Sequence, residues 1–138
     1  DTDTMLKAKA ENSLNNKLKV VFCIGENKEH KANNKTFEIL ENQIKNAIDK
    51  EFNFQDIIIA YEPIWAIGSG LIPKESEIFK IIKFIKKKVK GSKVLYGGSV
   101  NSKNINLLKK IDNVDGFLVG GASQSSNNFI DIIKKTFN

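Results

Sequence analysis

Short apolar runs alternate with longer amphipathic stretches along this chain, and this alternation limits the possible folds more than any other feature. Apolar runs occupy residues 19–24, 57–61, 93–96 and 116–119. They are nearly continuous, which is typical of strands in a parallel sheet that is covered on both faces. Between them, apolar residues recur at helical spacings of three and four. The pattern predicts an α/β fold of about four strand–helix units, preceded by one helix.

The predicted helices differ in how clearly the sequence marks their buried faces. We expect long helices over residues 36–50 and 75–90, and shorter ones at the start of the chain, after the third strand and at its end. The residues expected on the buried faces are, in chain order, Met5, Leu6, Ala8, Ala10 and Leu14; Phe37, Leu40, Ile44 and Ile48; Ile78, Ile81, Ile82, Ile85 and Val89; Ile105, Leu108 and Ile111; and Phe129, Ile132 and Ile133.

The length and composition indicate one globular unit spanning residues 1–138. An apolar fraction of 41% is enough for a sizeable core. The single cysteine, Cys23, lies within an apolar run, so we expect a buried strand residue in a reducing, cytoplasmic compartment. No apolar run approaches the length of a membrane span, so no membrane partner is expected. The chain starts at Asp1 rather than methionine, and we therefore expect it to begin inside a longer protein.

The net charge of +6 comes almost entirely from lysine. Its densest cluster, Lys86, Lys87, Lys88 and Lys90, lies on a predicted helix whose other face is apolar. This is typical of a solvated helix face, whereas a nucleic-acid-binding surface would combine clustered basic residues with stacking aromatics, so a nucleic-acid partner is not expected. A milder role for the charge is to attract an anionic substrate.

Unusual residues gather at the ends of the predicted strands. Glu62 follows an apolar strand and precedes Pro63, where a carboxylate could act as a general base or be an ordinary surface charge. The pairs Gly97-Gly98 and Gly120-Gly121 could let backbone N–H groups approach a phosphate, although glycines also serve tight turns. The loop 63–70 has the composition of a closing lid, or of a βα loop with a packed tryptophan.

Together, three strand-end segments resemble the triosephosphate isomerase family. They are YEPIWAIGSG at 61–70, YGGS at 96–99 and VGGAS at 119–123. The resemblance implies a (β/α)₈ barrel, of which this chain would be the C-terminal half. It implies interconversion of dihydroxyacetone phosphate and glyceraldehyde 3-phosphate through an enediolate, in glycolysis and gluconeogenesis, with no metal or organic cofactor. A different phosphosugar-binding barrel would share the glycine pairs, but not Glu62, Trp65 and the lid together.

The resemblance also implies a role for each site residue. Glu62 matches the catalytic base. Glu26 matches the residue that contacts Trp65 when the lid is open, and Tyr96 and Ser99 match the latch of the closed lid. The phosphate-binding positions are Gly68, Ser99, Gly120 and Gly121. The lid positions are Pro63, Ile64, Trp65, Ala66, Ile67, Gly68, Ser69 and Gly70.

The chain departs from the family in ways that bear on activity. The family takes its electrophilic histidine from its fourth strand and a substrate-binding lysine from its first, and neither strand is present. The only histidine, His30, matches no catalytic position and is expected to be a solvated loop residue. We therefore expect the isolated chain to be inactive without the missing N-terminal half, which also carries most contacts of the family's homodimer. The alternative is a catalytically inactive half-barrel that at most binds a phosphate group.

Two smaller departures lie in loops. Asn33-Asn34 stands where the family has Ala-Gly, and asparagine tolerates the left-handed backbone that such a turn needs. Pro73 follows the lid where the family often has alanine. Because proline has no N–H, we expect that Tyr96 cannot form its half of the latch there.

Overall fold

The four strands form one parallel sheet whose order follows the sequence. The structure is a computed structural model, and it describes residues 2–49 and 51–138. The helices and strands are α1 (Asp3–Asn15), β1 (Val20–Ile24), α2 (Lys28–Ala32), α3 (Thr36–Ala47), β2 (Ile57–Tyr61), α4 (Glu75–Lys88), β3 (Lys93–Tyr96), α5 (Ile105–Leu108), β4 (Gly116–Phe117) and α6 (Ser126–Phe137). The predicted α/β class and the predicted alternation of strands and helices are confirmed.

The register of the sheet brings the carboxyl ends of the strands to one edge. Ile24 pairs with Tyr61, Tyr61 with Tyr96, and Tyr96 with Phe117. The segments that follow these residues therefore start side by side, which is where parallel sheets of this class form their binding sites.

One face of the sheet packs against the helices and forms the core. Alternate strand residues such as Ile59 and Val94 are fully buried there, against Leu40 of α3 and Ile82 of α4. The apolar face predicted for α4 is confirmed throughout. Its residues are Ile78, Ile81, Ile82, Ile85 and Val89.

The other face of the sheet is more open than the sequence indicated. Val21 is 48% exposed and Cys23 is exposed, so the expectation of a buried Cys23 was wrong. Successive strand residues point to opposite faces, and the described helices pack against the face that bears Phe22 and Ile24. The apolar run of β1 therefore contributes half of its residues to the core and half to an open surface.

Other expectations need smaller corrections. Phe37, expected in the core, is 43% exposed, and its ring packs edge-on against Phe84 with centroids 5.0 Å apart. Phe129, Ile133 and Met5 are also exposed. These residues lie at the margins of their apolar faces, where the spacing pattern alone does not distinguish a buried position from a flanking one.

Several element ends also differ from those expected. Helix α3 ends at Ala47, and Lys50, the predicted end, lies outside the described residues. Helix α4 ends at Lys88, two residues early, and β4 contains only Gly116 and Phe117. Helix ends depend on local capping, which periodicity does not report.

The segment after β1 contains a helix that the sequence analysis missed. Residues 28–32 form α2, and the side chain of Asn27 accepts a hydrogen bond from the His30 N–H at 2.8 Å. His30 is therefore a half-buried helical residue, and the expectation of a solvated loop residue was wrong. An asparagine followed by an acidic residue in the first turn is the capping signal that could have revealed this helix. The left-handed turn expected at Asn34 is present, with φ of 56°.

Within the described residues, no helix is both long enough and apolar enough to cross a membrane. The longest, α4, has 14 residues and carries three lysines in its last turn.

We expect Leu40 of α3 to contribute strongly to the stability of the fold. Leu40 is fully buried, whereas Leu107 in α5 is 39% exposed. Leu40→Ala should lower the free energy of unfolding by about 2–5 kcal/mol, because it removes buried methyl groups and leaves a cavity. The matched change Leu107→Ala should lower it by less than about 1 kcal/mol. Urea denaturation measures both, and equal losses would contradict the assignment of Leu40 to the core.

Candidate active site

The predicted catalytic and phosphate-binding residues lie together in one cleft at the carboxyl edge of the sheet. Its volume is about 320 Å³. The segments that follow β2, β3 and β4 form the cleft, although these segments are far apart in the sequence. Its lining residues are Glu62, Ile67, Gly68, Gly70, Gly97, Ser99, Val100, Asn101, Gly120, Gly121 and Ala122.

Glu62 is positioned by the sheet itself. Its backbone N–H donates to the carbonyl of Ile24 at 2.8 Å, which extends the β1–β2 pairing past the end of β2. A Cβ on Gly25 would lie 1.8 Å from the Glu62 carbonyl oxygen, and one on Gly97 would lie 2.6 Å from Glu62 Cγ. Glycine is therefore needed on both sides of Glu62, and the half-buried side chain is confined between the two neighbouring strands.

A glutamine on α3 keeps Gly25 in place. Gln43 accepts a hydrogen bond from the Gly25 N–H at 3.0 Å and donates one to the Gly25 carbonyl, also at 3.0 Å. The sequence analysis did not identify Gln43. Its signal was a polar residue three positions after Leu40, within the otherwise apolar face of α3.

Cys23 lies next to Glu62 on the open side of the sheet. Partial desolvation of the thiol, its hydrogen bond with Glu62 and the charge of that carboxylate together raise the pKa of Cys23 to about 12. The thiol is therefore protonated at neutral pH, although the residue as a whole is exposed. The sequence analysis did not connect these two residues.

The start of the predicted lid, the segment 63–70, is anchored on a buried carboxylate. Glu26 has no exposed surface, and it accepts hydrogen bonds from the Trp65 Nε1–H at 2.8 Å and the Tyr61 hydroxyl at 3.2 Å. Burial and the charge of Glu26 raise the pKa of Tyr61, which keeps this hydroxyl protonated as a donor. The Ile64 N–H donates to the Glu26 carbonyl at 3.0 Å. The contact between Glu26 and Trp65 implied by the family resemblance is thus present.

The end of the lid has a different character. Residues 67–70 are exposed, and Gly68 and Gly70 have φ of 65° and 77°. These left-handed conformations strongly favour glycine, so this segment suits a hinge.

Ser99, in the loop that follows β3, forms hydrogen bonds with the predicted lid. Its hydroxyl accepts a hydrogen bond from the Gly70 N–H at 3.1 Å and donates to the Ala66 carbonyl. Ser99 itself has φ of 45°, which is uncommon for a residue other than glycine, and the amides of Asn101 and Asn104 hold its carbonyl. Such strain is concentrated at functional sites.

Tyr96, the other predicted latch residue, makes no latch contact. Its buried hydroxyl has no hydrogen-bond partner among residues 2–49 and 51–138. Pro73, which is buried, offers no N–H, as expected from the sequence. Burial is the main cause of the raised pKa of Tyr96.

Gly120 and Gly121 leave open space over their backbone. No heavy atom lies within 4 Å of a Cβ built on either residue. Gly121 begins a short 3₁₀ turn that ends at Gln124, just before α6. Unlike Gly25 and Gly97, these glycines are not required by packing within the described part of the chain, and an anion could approach their N–H groups closely.

Glu62 is the only ionisable side chain that lines the cleft in the described part of the chain. No described lysine, arginine or histidine lines it, and His30 lies in α2, where its Nδ1 is buried without a described partner. The described residues also contain no group of three His, Cys, Asp or Glu side chains that could hold a metal ion.

Comparison with known proteins gives a consistent result. The family model for triosephosphate isomerase matches residues 1–136. The triosephosphate isomerase of Thermodesulfovibrio yellowstonii is 41% identical over 142 residues, covering 97% of this chain and 58% of the relative. That of Wolbachia pipientis wMel is 39% identical over 135 residues, covering 98% and 54%.

A solved structure agrees with these sequence comparisons. The crystal structure of triosephosphate isomerase from Bartonella henselae superimposes with a TM-score of 0.88 at 28% identity, covering 99% of this chain and 58% of that one. The chain thus spans a little more than half the length of the relatives it matches, and its four-stranded sheet corresponds to part of their barrel. The chain belongs to the triosephosphate isomerase family.

Proposed function

We propose that this chain is the C-terminal half-barrel of a triosephosphate isomerase, with Glu62 as the base that moves a proton between the two carbons of a triose phosphate. The observation that carries the proposal is that Glu62 lies in the same cleft as the open glycine backbone at 120–121. The isomerisation needs a proton acceptor near the reacting carbons and an anion-binding group at the phosphate end of the substrate. The cleft offers a candidate for each.

In this proposal, the backbone N–H groups of the cleft hold the substrate's phosphate. Gly68, Ser99, Gly120 and Gly121 all line the cleft, and no described carboxylate other than Glu62 lines it to repel the anion. Backbone donors suit this task, because they are fixed by the fold and need no reorganisation when charge develops. No metal or cofactor has a part in the reaction.

The segment from Pro63 to Gly70 serves as the lid. The Glu26–Trp65 hydrogen bond supports an open position for its first half, whereas Ser99 already contacts its hinge at Gly70. Closure would exchange the Glu26 contact for contacts around the substrate and exclude water from the enediolate, which protects that intermediate. Because Tyr96 lacks a partner, Ser99 carries the latch alone.

The complete site requires a second half-barrel. The cleft has no cationic or imidazole group within the described residues, and the open face of β1 leaves Val21 exposed. A complementary N-terminal half would cover that face and supply the lysine and histidine that stabilise the developing oxyanion. The assembled protein would form the family's homodimer and act in the cytoplasm, in glycolysis and gluconeogenesis, where the thiol of Cys23 stays reduced.

A second candidate function is that of an inactive half-barrel which only binds phosphate. The same lack of a described cation in the cleft favours it, because loss of one oxyanion donor alone can lower the rate by about 10²–10³. The two candidates share the phosphate cradle and differ in whether Glu62 performs chemistry.

A coupled isomerase assay separates the two candidates. We expect no activity from the chain alone and measurable activity after assembly with the N-terminal half of a related isomerase. Glu62→Asp should then reduce kcat by about 100-fold, since it withdraws the carboxylate by about 1 Å. Glu38→Asp, on the exposed surface of α3, is the matched control and should have no effect. No activity in an assembly verified by size-exclusion chromatography would favour the inactive half-barrel.

The contact between Cys23 and Glu62 can be tested without any activity. Because the pKa of Cys23 is raised to about 12, its alkylation by iodoacetamide should still be accelerating at pH 10, where an ordinary thiol has levelled off. Glu62→Gln removes the nearby charge and should shift the pH profile to lower pH. Glu38→Gln should leave it unchanged, and identical profiles for the chain and Glu62→Gln would contradict the contact.

The unpartnered hydroxyl of Tyr96 leads to a further prediction. Tyr96→Phe should change the activity of the assembled enzyme by less than about twofold, and should raise the unfolding free energy by up to about 1 kcal/mol, because a buried hydroxyl without a partner is unfavourable. Ser99→Ala, which removes two hydrogen bonds that are made, should lower activity about tenfold.

The proline after the lid offers an internal control for this prediction. In a Pro73→Ala background the new N–H can serve Tyr96, so Tyr96→Phe should become costly there. A double-mutant cycle over kcat/KM measures the coupling. A tenfold loss from Tyr96→Phe in the unaltered chain would show that the hydroxyl has a partner during catalysis.

A further inference from the structure

A second cleft lies between the α2–α3 turn and the start of α4. Its volume is about 470 Å³. It shares no lining residue with the cleft around Glu62. Its lining residues are Lys31, Asn34, Thr36, Phe37, Lys74, Ser76, Glu77, Lys80 and Ile81. The proposed isomerase activity gives this cleft no role.

The N-termini of two long helices border this cleft. Helix α3 has 12 residues and α4 has 14, and neither has a side-chain cap at its start. The first N–H groups of both helices therefore lack hydrogen-bond acceptors within the described residues, and they carry the positive end of the helix dipole. The unpaired N–H groups are those of Thr36, Phe37, Glu38, Glu75 and Ser76.

The side chain of Thr36 provides an independent sign that this cleft accommodates a ligand. Thr36 lines the cleft and is only 8% exposed, yet its hydroxyl makes no hydrogen bond with any described residue. The hydroxyl oxygen itself is not among the fully buried atoms, so it remains accessible from the cleft. An acceptor atom bound in the cleft would complete the hydrogen bonding of Thr36 and of the neighbouring helix N-terminus at once.

The charges around the cleft favour an anion. Lys74 and Lys80 are exposed and form no ion pair within the described residues. Lys31 is already engaged, since its Nζ pairs with Glu77 and lies 4.4 Å from the centre of the Trp65 ring. The cleft thus has two free cations and one carboxylate that is already neutralised by a partner.

The remaining wall is apolar. Phe37 is 43% exposed and lies on the cleft together with Ile81. An inorganic anion alone would make no contact with this apolar wall. The cleft is also larger than the one around Glu62, so it has room for an organic group. Ligand sites usually combine such an apolar wall with a few convergent polar groups.

We infer that this cleft binds the phosphate group of a small phosphomonoester, with the phosphate at the N-termini of α3 and α4 and the organic part against Phe37. The backbone N–H groups and the Thr36 hydroxyl contact the phosphate oxygens, and Lys74 and Lys80 supply the charge. The cleft contacts the lid through Lys31, which stacks on Trp65.

Amide NMR spectroscopy of the 138-residue chain tests this inference. Titration with phenyl phosphate at constant ionic strength should give saturable shifts for the amides of Thr36, Phe37, Glu38, Glu75 and Ser76. Inorganic phosphate should shift the same amides with weaker affinity, because it lacks the ring that contacts Phe37. Binding in the cleft around Glu62 would instead shift Gly68, Ser99, Gly120 and Gly121, so the two sites are read separately.

Two variants and a matched control sharpen the test. Lys74→Gln combined with Lys80→Gln should weaken binding about tenfold, and Thr36→Val should weaken it several-fold without a change in charge. Lys87→Gln combined with Lys90→Gln removes the same charge in and just beyond the last turn of α4 and should leave the affinity unchanged. Equal weakening by both lysine pairs, or shifts that do not saturate, would show diffuse screening and overturn the inference.

Discussion

The close packing of two glycines against Glu62 is the constraint on which the candidate site depends. With parallel register between β1, β2 and β3, the backbone of residue 62 lies between Gly25 and Gly97, and there is no room for a Cβ on either neighbour. The carboxylate consequently has little freedom to leave the cleft. Gln43 extends this arrangement into the helix layer, since it bonds both backbone groups of Gly25. Catalytic groups need this kind of support, because small displacements lower rates strongly.

The two ends of the lid are controlled by different interactions. At the start, the fully buried carboxylate of Glu26 accepts hydrogen bonds from the indole N–H of Trp65 and the hydroxyl of Tyr61. At the end, Gly68 and Gly70 supply left-handed backbone, and Ser99 supplies the contact. The segment therefore has a charged, buried anchor at one end and glycine backbone with a single serine contact at the other, which is the arrangement expected of the predicted lid.

The sheet presents two faces with different roles. The helix-covered face is a closely packed core, whereas Val21 and Cys23 on the other face are exposed. This asymmetry connects the fold to the proposed function, because a second half-barrel that covers Val21 would also surround the cleft with the groups that the described residues lack. It also explains why the thiol of Cys23 reports on Glu62, since both face the open side.

The sequence by itself determined the class of fold, the strand at 57–61, the buried stripe of α4 and the identity of the residues that gather in the cleft. These follow from local periodicity and from short strand-end motifs, which are properties of neighbouring residues. It missed α2, although the local capping signal at Asn27 marks this helix. It also wrongly expected Phe37 and Cys23 to be buried, because their exposure depends on what packs alongside. Only the tertiary structure decided that Gly97 confines Glu62, that Gln43 holds Gly25 and that the Tyr96 hydroxyl has no partner among the described residues. Such contacts join residues at least 18 positions apart in the sequence. They arise from strand register and helix packing, which the local pattern does not encode.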